Sequence, residues 1–286
     1  MRPPPNRAAR RRRRRQRGPA RLPTSRWRQA LVAGAVVLVA AARLLRHALV
    51  IAAIGLLLAV PRPAGAAPVA HARVVTIMLD PGHNLYPNLG YEPIGPGSST
   101  FKIKDGGGTH GVVTGQSEAS VNLRIAFRLR GLLRADGLHV IMTRHKTCCR
   151  SKGNVARARL ANRAHAALFL RIHADGSTNH AVRGTSMLYP ALHAGWTDDI
   201  FGRSRQAARL VQSRLVRRLG WPNRGLVPRG DLTGFNWANV PAILTEVGFL
   251  TNPSEDRALA THGTVKRIAR GLEGGVLAYL RARGLR

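Results

Sequence analysis

The amino-acid sequence predicts an α/β domain built on a mostly parallel sheet. Along residues 71–286, apolar stretches of strand length alternate with longer segments of helical periodicity, a pattern typical of a sheet with helices packed against it. Two of the strand-like stretches end in a histidine and a turn, at His83 and at His173. Because open α/β folds bind ligands beyond the carboxyl ends of their strands, these two histidines mark the predicted site.

His83 follows the first predicted strand, the apolar run 74–79, which is rich in β-branched residues. Pro81 and Gly82 end this strand and impose a turn that displays the histidine. A histidine there can bind a metal, act as a base or only cap the turn, and this motif alone leaves all three open. The next residues, 84–115, are rich in Gly, Pro and Ser, so we expect a loop beside the site, with a short hairpin around Phe101-Lys102-Ile103.

An amphipathic helix is predicted over 117–135, with Ser117 as its N-cap and Gly137 as its stop signal. Glu118 falls in the first turn of this helix. An acidic residue there can simply complement the helix dipole, which is worth ~0.3–1 kcal/mol, or it can belong to the site.

His173 lies at the end of the apolar stretch 167–172, and Glu246 lies inside a further apolar run, 241–252. A carboxylate in such a run is costly to bury unless it is paired or lies near a cation, so Glu246 marks either a structural salt bridge or a reactive group. The remaining predicted elements are strands at 138–143 and 183–189, helices at 153–165 (with exposed arginines), 198–220, 253–261 and 264–280, and a loop with aromatic residues at 231–240.

The chain of 286 residues carries a formal net charge of +33. Residues 1–70 contain fifteen arginines and no acidic residue, so +18 remains on residues 71–286. Such a charge fits a nucleic acid or an anionic cell-surface polymer equally well. Arginine-rich codon usage, which would scatter the charge without effect, is the third interpretation.

The predicted organisation has three parts. Residues 1–29 form a basic, disordered amino terminus, because like charges repel and almost no apolar residue is present. Residues 30–70 form a hydrophobic export signal or anchor, and residues 71–286 form the exported domain. A nucleic-acid partner is therefore excluded by the expected location outside the cytoplasm, in the cell wall, periplasm or extracellular space.

The export signal is predicted from two apolar stretches, 30–42 and 48–60, each shorter than the ~20 residues that cross a bilayer. The second stretch fits a signal-peptide core, and Ala64-Gly65-Ala66 offers a cleavage site, so the mature protein would begin near Ala67. An uncleaved anchor, or a hairpin of two short apolar helices, is the alternative.

The two cysteines of the chain, Cys148 and Cys149, are adjacent. Neighbouring Cα atoms lie ~3.8 Å apart, closer than the ~4.4–6.8 Å that disulfides usually span, so a bridge between them would be strained. Without a Cys-x-x-Cys pattern, these residues predict neither zinc nor redox chemistry.

His83, Glu118 and His173 together form a candidate set of two histidines and one carboxylate, a common arrangement for catalytic Zn²⁺ that leaves the fourth position to water. Zinc lowers the pKa of that water to about 7. A free carboxylate nearby can take the water's proton and deliver it to the leaving amine. Glu246 is the candidate for this role.

Four motifs occur in order along the chain: Leu79-Asp80-Pro81-Gly82-His83, Ser117-Glu118, Ile172-His173-Ala174-Asp175-Gly176 and the run from Pro241 to Phe249. Over about residues 73–283 this set resembles the zinc-dependent N-acetylmuramoyl-L-alanine amidases, cell-wall hydrolases of the amidase-3 type. The resemblance implies a twisted sheet of about six strands flanked by helices. It also implies cleavage of the amide between the lactyl group of muramic acid and L-alanine of the peptidoglycan stem peptide. By similarity, His83, Glu118 and His173 are the zinc ligands, and Glu246 is the catalytic glutamate.

Two positions depart from the family pattern. Arg171 stands where a small residue usually precedes the Ile-His pair, and Asp175 replaces a frequent Asn. In autoinhibited members of the family a helix blocks the site. The loop 84–115 is rich in glycine, so we expect no such helix there. We expect a monomer without a separate wall-binding module, held on anionic wall polymers by its positive charge and touching the membrane only through its amino-terminal segment.

Two other functions remain open. A zinc peptidase acting on the stem peptide would use the same metal and glutamate with a different pocket. A non-catalytic wall-binding protein would have a vestigial site, and the intact set of His83, Glu118, His173 and Glu246 argues against it.

Overall fold

The computed structural model describes residues 38–52 and 74–286. The stretch 38–52 is helical and belongs to a separate unit, Met1–His71, whereas the domain is the compact unit Ala72–Arg286. No helix within the described residues combines the length and the apolar character that a bilayer span requires. The predicted disordered segment 1–29, and the predicted signal region 30–70 apart from 38–52, lie outside the described residues.

Eight strands occur in the domain. They are β1 (Thr76–Pro81), β2 (Asn88–Pro93), β3 (Phe101–Asp105), β4 (His139–Met142), β5 (Leu168–Asp175), β6 (Thr185–Pro190), β7 (Asn223–Arg229) and β8 (Ala242–Phe249). Six of them form the central sheet in the order β4-β1-β5-β8-β6-β7. The predicted mostly parallel sheet is confirmed, since only the pairing of β6 with β8 is antiparallel.

Six helices flank this sheet. They are α1 (Glu118–Ala135), α2 (Asn154–Arg163), α3 (Phe201–Leu219), α4 (Thr233–Asn236), α5 (Pro253–Leu259) and α6 (His262–Ala282). α1, α3 and α6 pack in the larger apolar core on one face, while α2 and α4 contribute to the core on the other face. β5 is buried on both faces because Leu168 and Leu170 face the first core and Phe169 faces the second.

The strand-end positions predicted for the site meet at one edge of the sheet. β1 and β5 pair in parallel, and so do β5 and β8, which places His173 opposite Glu246. The hairpin predicted around 101–103 is also confirmed, because β2 and β3 form a separate antiparallel two-stranded sheet.

Three details differ from the sequence prediction. β7 was not predicted, because Gly225 and Pro228 obscure it. Such residues are tolerated here since β7 is the edge strand. The loop predicted at 231–240 contains the short helix α4. The helix over 153–165 was predicted to carry many exposed arginines, but Arg157 is buried because its guanidinium pairs with the buried carboxylate of Asp80.

Candidate metal centre

The three predicted ligands converge although they come from three separate elements. His83 lies in the turn after β1, Glu118 is the first residue of α1, and His173 lies near the carboxyl end of β5. Glu118 Oε1 is 3.4 Å from His83 Nε2 and 3.0 Å from His173 Nδ1. One ligand atom from each residue lies within 4.8 Å of the others.

Asp105, at the end of β3, orients His83. Its Oδ1 lies 2.6 Å from His83 Nδ1, so this ring nitrogen donates a hydrogen bond and Nε2 faces Glu118. The backbone of His83 has φ of 56°, a left-handed conformation that is uncommon for a residue other than glycine. Sequence reasoning missed Asp105, and the only signal was a lone carboxylate at the border of the Gly106-Gly107-Gly108 run.

Glu118 is an ionised, buried carboxylate. Burial alone would raise its pKa, but the hydrogen bond with His173 and the positive potential of the histidines hold the pKa at about 2. Its Oε2 accepts a hydrogen bond from the backbone N–H of Thr109 at 3.0 Å. Since only 4% of Glu118 is exposed, its position fits a ligand better than a solvated partner of the helix dipole.

The residues present fit a divalent cation. Burial lowers the pKa of His173, and its Nε2 is buried without a hydrogen-bond partner among the described residues. Burial opposes the charged form of His83, but Asp105 and Glu118 outweigh it and raise the pKa of this ring. The carboxylates therefore create a negative potential around two ring nitrogens, and zinc prefers this donor set of imidazoles and a carboxylate.

Two glycines leave room for these side chains. A Cβ at Gly82 would overlap the imidazole of His173, and a Cβ at Gly108 would lie 2.6 Å from Glu118 Oε2 and 2.9 Å from a ring carbon of His83. Gly108 also has φ of 74°, which disfavours any other residue. Gly82 is therefore needed for close packing, in addition to ending strand β1.

Glu246 lies beside the three candidate ligands, on the strand next to His173. Its Oε2 is buried without a hydrogen-bond partner among the described residues. The pKa of Glu246 is raised well above its usual value, first by burial and then by the charges of Glu118 and Asp175. The neighbouring arginines are engaged elsewhere, Arg171 with Asp80 and Arg229 with Asp231, so the structure does not support a structural salt bridge at Glu246.

Arg171 and Arg157 form a buried charge cluster with Asp80. Asp80 Oδ2 is 2.8 Å from Arg171 Nε, and Asp80 Oδ1 is 2.5 Å from Arg157 Nη1. The hydroxyl of Thr143 donates a further hydrogen bond to Asp80 at 2.6 Å. Arg171, which stands where the family usually has a small residue, thus places a second arginine on the single carboxylate of Asp80, next to the site.

His83, His173 and Glu246 line one open cleft of about 270 Å³. The β2–β3 hairpin forms one wall, and the indole N–H groups of Trp196 and Trp237 hold its tip by donating to the carbonyls of Pro96 and Pro93. Charged side chains also line the cleft, among them Lys102, Lys104, Arg229 and Asp231.

Asp175 and the two cysteines, also noted in the sequence, lie outside the ligand set. Asp175 pairs with Phe249 across β5 and β8, and its Oδ1 accepts a hydrogen bond from the N–H of Gly176 at 2.8 Å. Cys148 and Cys149 are exposed free thiols.

Comparison with known proteins identifies relatives over the whole domain. Residues 77–278 match the family model described as N-acetylmuramoyl-L-alanine amidase. An N-acetylmuramoyl-L-alanine amidase of Mycobacterium tuberculosis is 29% identical over 81% of this chain and 98% of its own length. The germination-specific N-acetylmuramoyl-L-alanine amidase of Bacillus subtilis is 29% identical over 73% of this chain and 81% of its own length.

Solved structures give the same result. The crystal structure of the amidase Ami1 from Mycobacterium smegmatis superposes with a TM-score of 0.66 and 28% sequence identity, covering 73% of this chain and 97% of that one. The amidase structure from Clostridium difficile has a TM-score of 0.59 at 28% identity, covering 74% of this chain and 99% of that one.

Proposed function

The chain belongs to the N-acetylmuramoyl-L-alanine amidase family, peptidoglycan hydrolases, and we propose that it performs this reaction with one Zn²⁺ held by His83, Glu118 and His173. The observation that carries the proposal is the convergence of two imidazoles on one buried carboxylate, with both imidazoles and Glu246 lining the same open cleft. The bond cleaved is the amide between the lactyl group of muramic acid and L-alanine of the stem peptide.

Contacts within the protein hold the candidate ligands in place. Asp105 holds the ring of His83 with Nε2 directed at Glu118, and Glu118 remains ionised at neutral pH. Bound zinc would supply a Lewis acid that makes water nucleophilic near neutral pH. Asp105 and the two glycines would keep these side chains oriented toward the ion.

Glu246 supplies the proton transfer. It takes a proton from the attacking water and delivers it to the amide nitrogen, so that L-alanine leaves as a neutral amine when the C–N bond breaks. Both steps suit a carboxylate with a raised pKa, since such a group is a stronger base and still releases its proton to an amine. Burial and neighbouring carboxylates raise the pKa of Glu246 in this way.

Product analysis on purified peptidoglycan, combined with metal analysis, tests this proposal. An amidase releases stem peptides with a free amino-terminal L-alanine, a zinc peptidase cuts inside those peptides, and a non-catalytic protein releases nothing. We expect free L-alanine termini and one zinc per chain, and loss of most zinc in His83→Ala and His173→Ala. The matched control is His145→Ala, an exposed histidine outside the cleft. Full zinc occupancy in His83→Ala and His173→Ala would reject the ligand assignment.

We also propose that the domain acts outside the cytoplasm as a monomer, after export through the signal in residues 30–70. The location of peptidoglycan and the signal-like pattern around Ala64-Gly65-Ala66 support this. Intact-mass measurement on protein from the cell envelope should give a chain that begins near Ala67. If the protein retains residues 30–60, this segment is an uncleaved anchor instead.

A further inference from the structure

The positive charge of the domain is concentrated on two helices, α3 and α6. α3 carries six arginines and no acidic residue, and α6 carries four basic residues and one glutamate, so this pair holds half of the +18. The exposed basic residues are Arg205, Arg209, Arg214, Arg217 and Arg218 on α3, with Lys266, Arg267, Arg270 and Arg281 on α6. In the cleft, by contrast, Arg157, Arg171 and Arg229 are paired with aspartates.

Glycines on α6 allow the two helices to pack closely. A Cβ at Gly275 would lie 2.5 Å from Val211 Cα, and one at Gly271 would lie 3.0 Å from Leu215 Cα. This approach places Arg270 of α6 beside the arginines of α3. An open groove results, lined by Arg214, Arg217, Arg218, Arg270, Gly271 and Gly274, which we call the arginine groove.

The arginine groove is open to solvent, and nothing lies within 4 Å of a Cβ position at Gly274. An extended polymer chain can therefore reach the arginines without displacing other side chains. Arginine is the side chain best suited to phosphate groups, because its planar guanidinium donates two parallel hydrogen bonds to them. Among residues 38–52 and 74–286, Glu273 is the only carboxylate that pairs with a groove arginine, Arg270, at 3.0 Å.

We propose that the arginine groove binds a linear polyanion with a phosphodiester backbone, of the kind attached to a cell wall. A lipid surface is the less suitable occupant, because helices that lie on membranes insert large apolar side chains. The exposed large apolar residues of the domain lie on neither α3 nor α6; the nearest in sequence is Leu285.

The groove is separate from the cleft. α3 and α6 pack on the face of the sheet opposite to α2 and α4, and none of the groove residues lines the cleft. A bound polymer therefore leaves the cleft open, and the groove would hold the enzyme on the wall during hydrolysis. This proposal does not depend on the identity of the metal or of the bond cleaved.

The test compares two quadruple variants of the full-length chain. The groove variant is Arg214→Gln, Arg217→Gln, Arg218→Gln and Arg270→Gln. The control variant removes the same charge from exposed arginines elsewhere, Arg128→Gln, Arg150→Gln, Arg163→Gln and Arg257→Gln. Binding to long-chain inorganic polyphosphate is measured between 0.05 and 0.2 M salt, with hydrolysis of a soluble muropeptide as the check on folding.

We expect the groove variant to lose at least about tenfold in polyphosphate affinity and about three units of the slope of log K against log salt, which corresponds to four lost phosphate contacts. The control variant should lose less than about threefold, and muropeptide hydrolysis should stay unchanged in both. Equal losses of affinity in the two variants would show that polyphosphate binds to the overall positive charge of the protein and not to the arginine groove. That result would overturn the proposal.

Two further probes distinguish the class of ligand. Poly-L-glutamate should bind more weakly than polyphosphate and should be less sensitive to the groove substitutions; equal sensitivity would overturn the assignment to phosphate. Vesicles of phosphatidylglycerol should bind both variants alike. A loss of vesicle binding confined to the groove variant, with polyphosphate binding intact, would assign the groove to a lipid surface instead.

Discussion

The carboxylate of Asp105 lies 2.6 Å from Nδ1 of His83, although 22 residues separate them in the chain. Burial alone would raise the pKa of Asp105, but the hydrogen bond and the charge of His83 hold it at about 2, so this carboxylate is ionised at neutral pH. A charged acceptor on Nδ1 determines which ring nitrogen carries the proton. It also makes Nε2 a better metal ligand.

Asp105→Asn should therefore weaken zinc binding without unfolding the domain. Partners that orient a metal-binding histidine typically contribute 10- to 100-fold in metal affinity or activity, and we expect a loss in that range by competition with a chelator. The control is Glu92→Gln on the same hairpin. Glu92 is equally buried but accepts hydrogen bonds from the N–H groups of Asn154 and Val155 at the start of α2, so its loss should lower stability by ~1 kcal/mol. Equal zinc affinity in Asp105→Asn and wild type would refute the orienting role.

Glu246→Gln should keep zinc and the fold but lose about 10²–10⁴-fold in kcat, because glutamine cannot transfer the proton. Glu255→Gln is the matched control. That buried carboxylate accepts hydrogen bonds from the N–H groups of Gly184 and Phe249 at 2.7 Å, so its replacement should cost stability and leave kcat nearly unchanged. Turnover of Glu246→Gln within a few-fold of wild type would contradict the proton-transfer role.

Gly82→Ala should displace His173, because the added methyl group would occupy the space of the imidazole. The backbone cannot yield easily, since the N–H of Gly82 donates to the carbonyl of Ile172 at 2.9 Å. A misplacement of ~1 Å typically costs about 10²-fold in rate, and zinc affinity should fall as well. Gly131→Ala, with nothing within 4 Å of its Cβ position on α1, should leave both quantities unchanged and raise stability by ~0.5–1 kcal/mol. If both alanine variants behave alike, the packing argument fails.

Asp80→Asn should destabilise the domain by ~3–5 kcal/mol in urea unfolding, because it leaves Arg157 and Arg171 buried without their carboxylate. Burial would raise the pKa of Asp80, but the two arginines depress it far below the ordinary value of an aspartate. A depressed folded-state pKa contributes stability above the unfolded-state pKa and loses it on acidification. The stability difference between wild type and Asp80→Asn should thus be constant above about pH 4 and shrink below it.

The control for that measurement is Asp231→Asn. Asp231 pairs with Arg229 and Lys102, but half of its side chain is exposed, and exposed pairs contribute only ~0–1 kcal/mol. A loss of stability at Asp80 no larger than at Asp231 would show that the buried cluster is not a principal support of the fold.

Local sequence patterns were sufficient for most of the fold. The run before His83, the helical periodicity of 117–135 and the αL glycine Gly220 at the end of α3 each depend on residues within one turn or strand of each other. β7 and α4 were missed because β7 contains a glycine and a proline and α4 is only four residues long. Elements this short or interrupted are stabilised mainly by tertiary packing.

The sequence by itself determined that His83 and His173 stand at strand ends, and hence that they share one edge of the sheet, whereas the tertiary structure placed Glu246 on the neighbouring strand opposite His173. Only the tertiary structure decided which side chains support them. Asp105 reaches His83, and Arg157 and Arg171 reach Asp80 across 77 and 91 residues of chain. The number of arginines alone does not show where they lie on the surface. The tertiary structure decided that the excess is concentrated on α3 and α6, which pack side by side. The physical reason is that periodicity reports the side of a strand or helix on which a residue lies, whereas charge pairing and grooves depend on how distant elements pack.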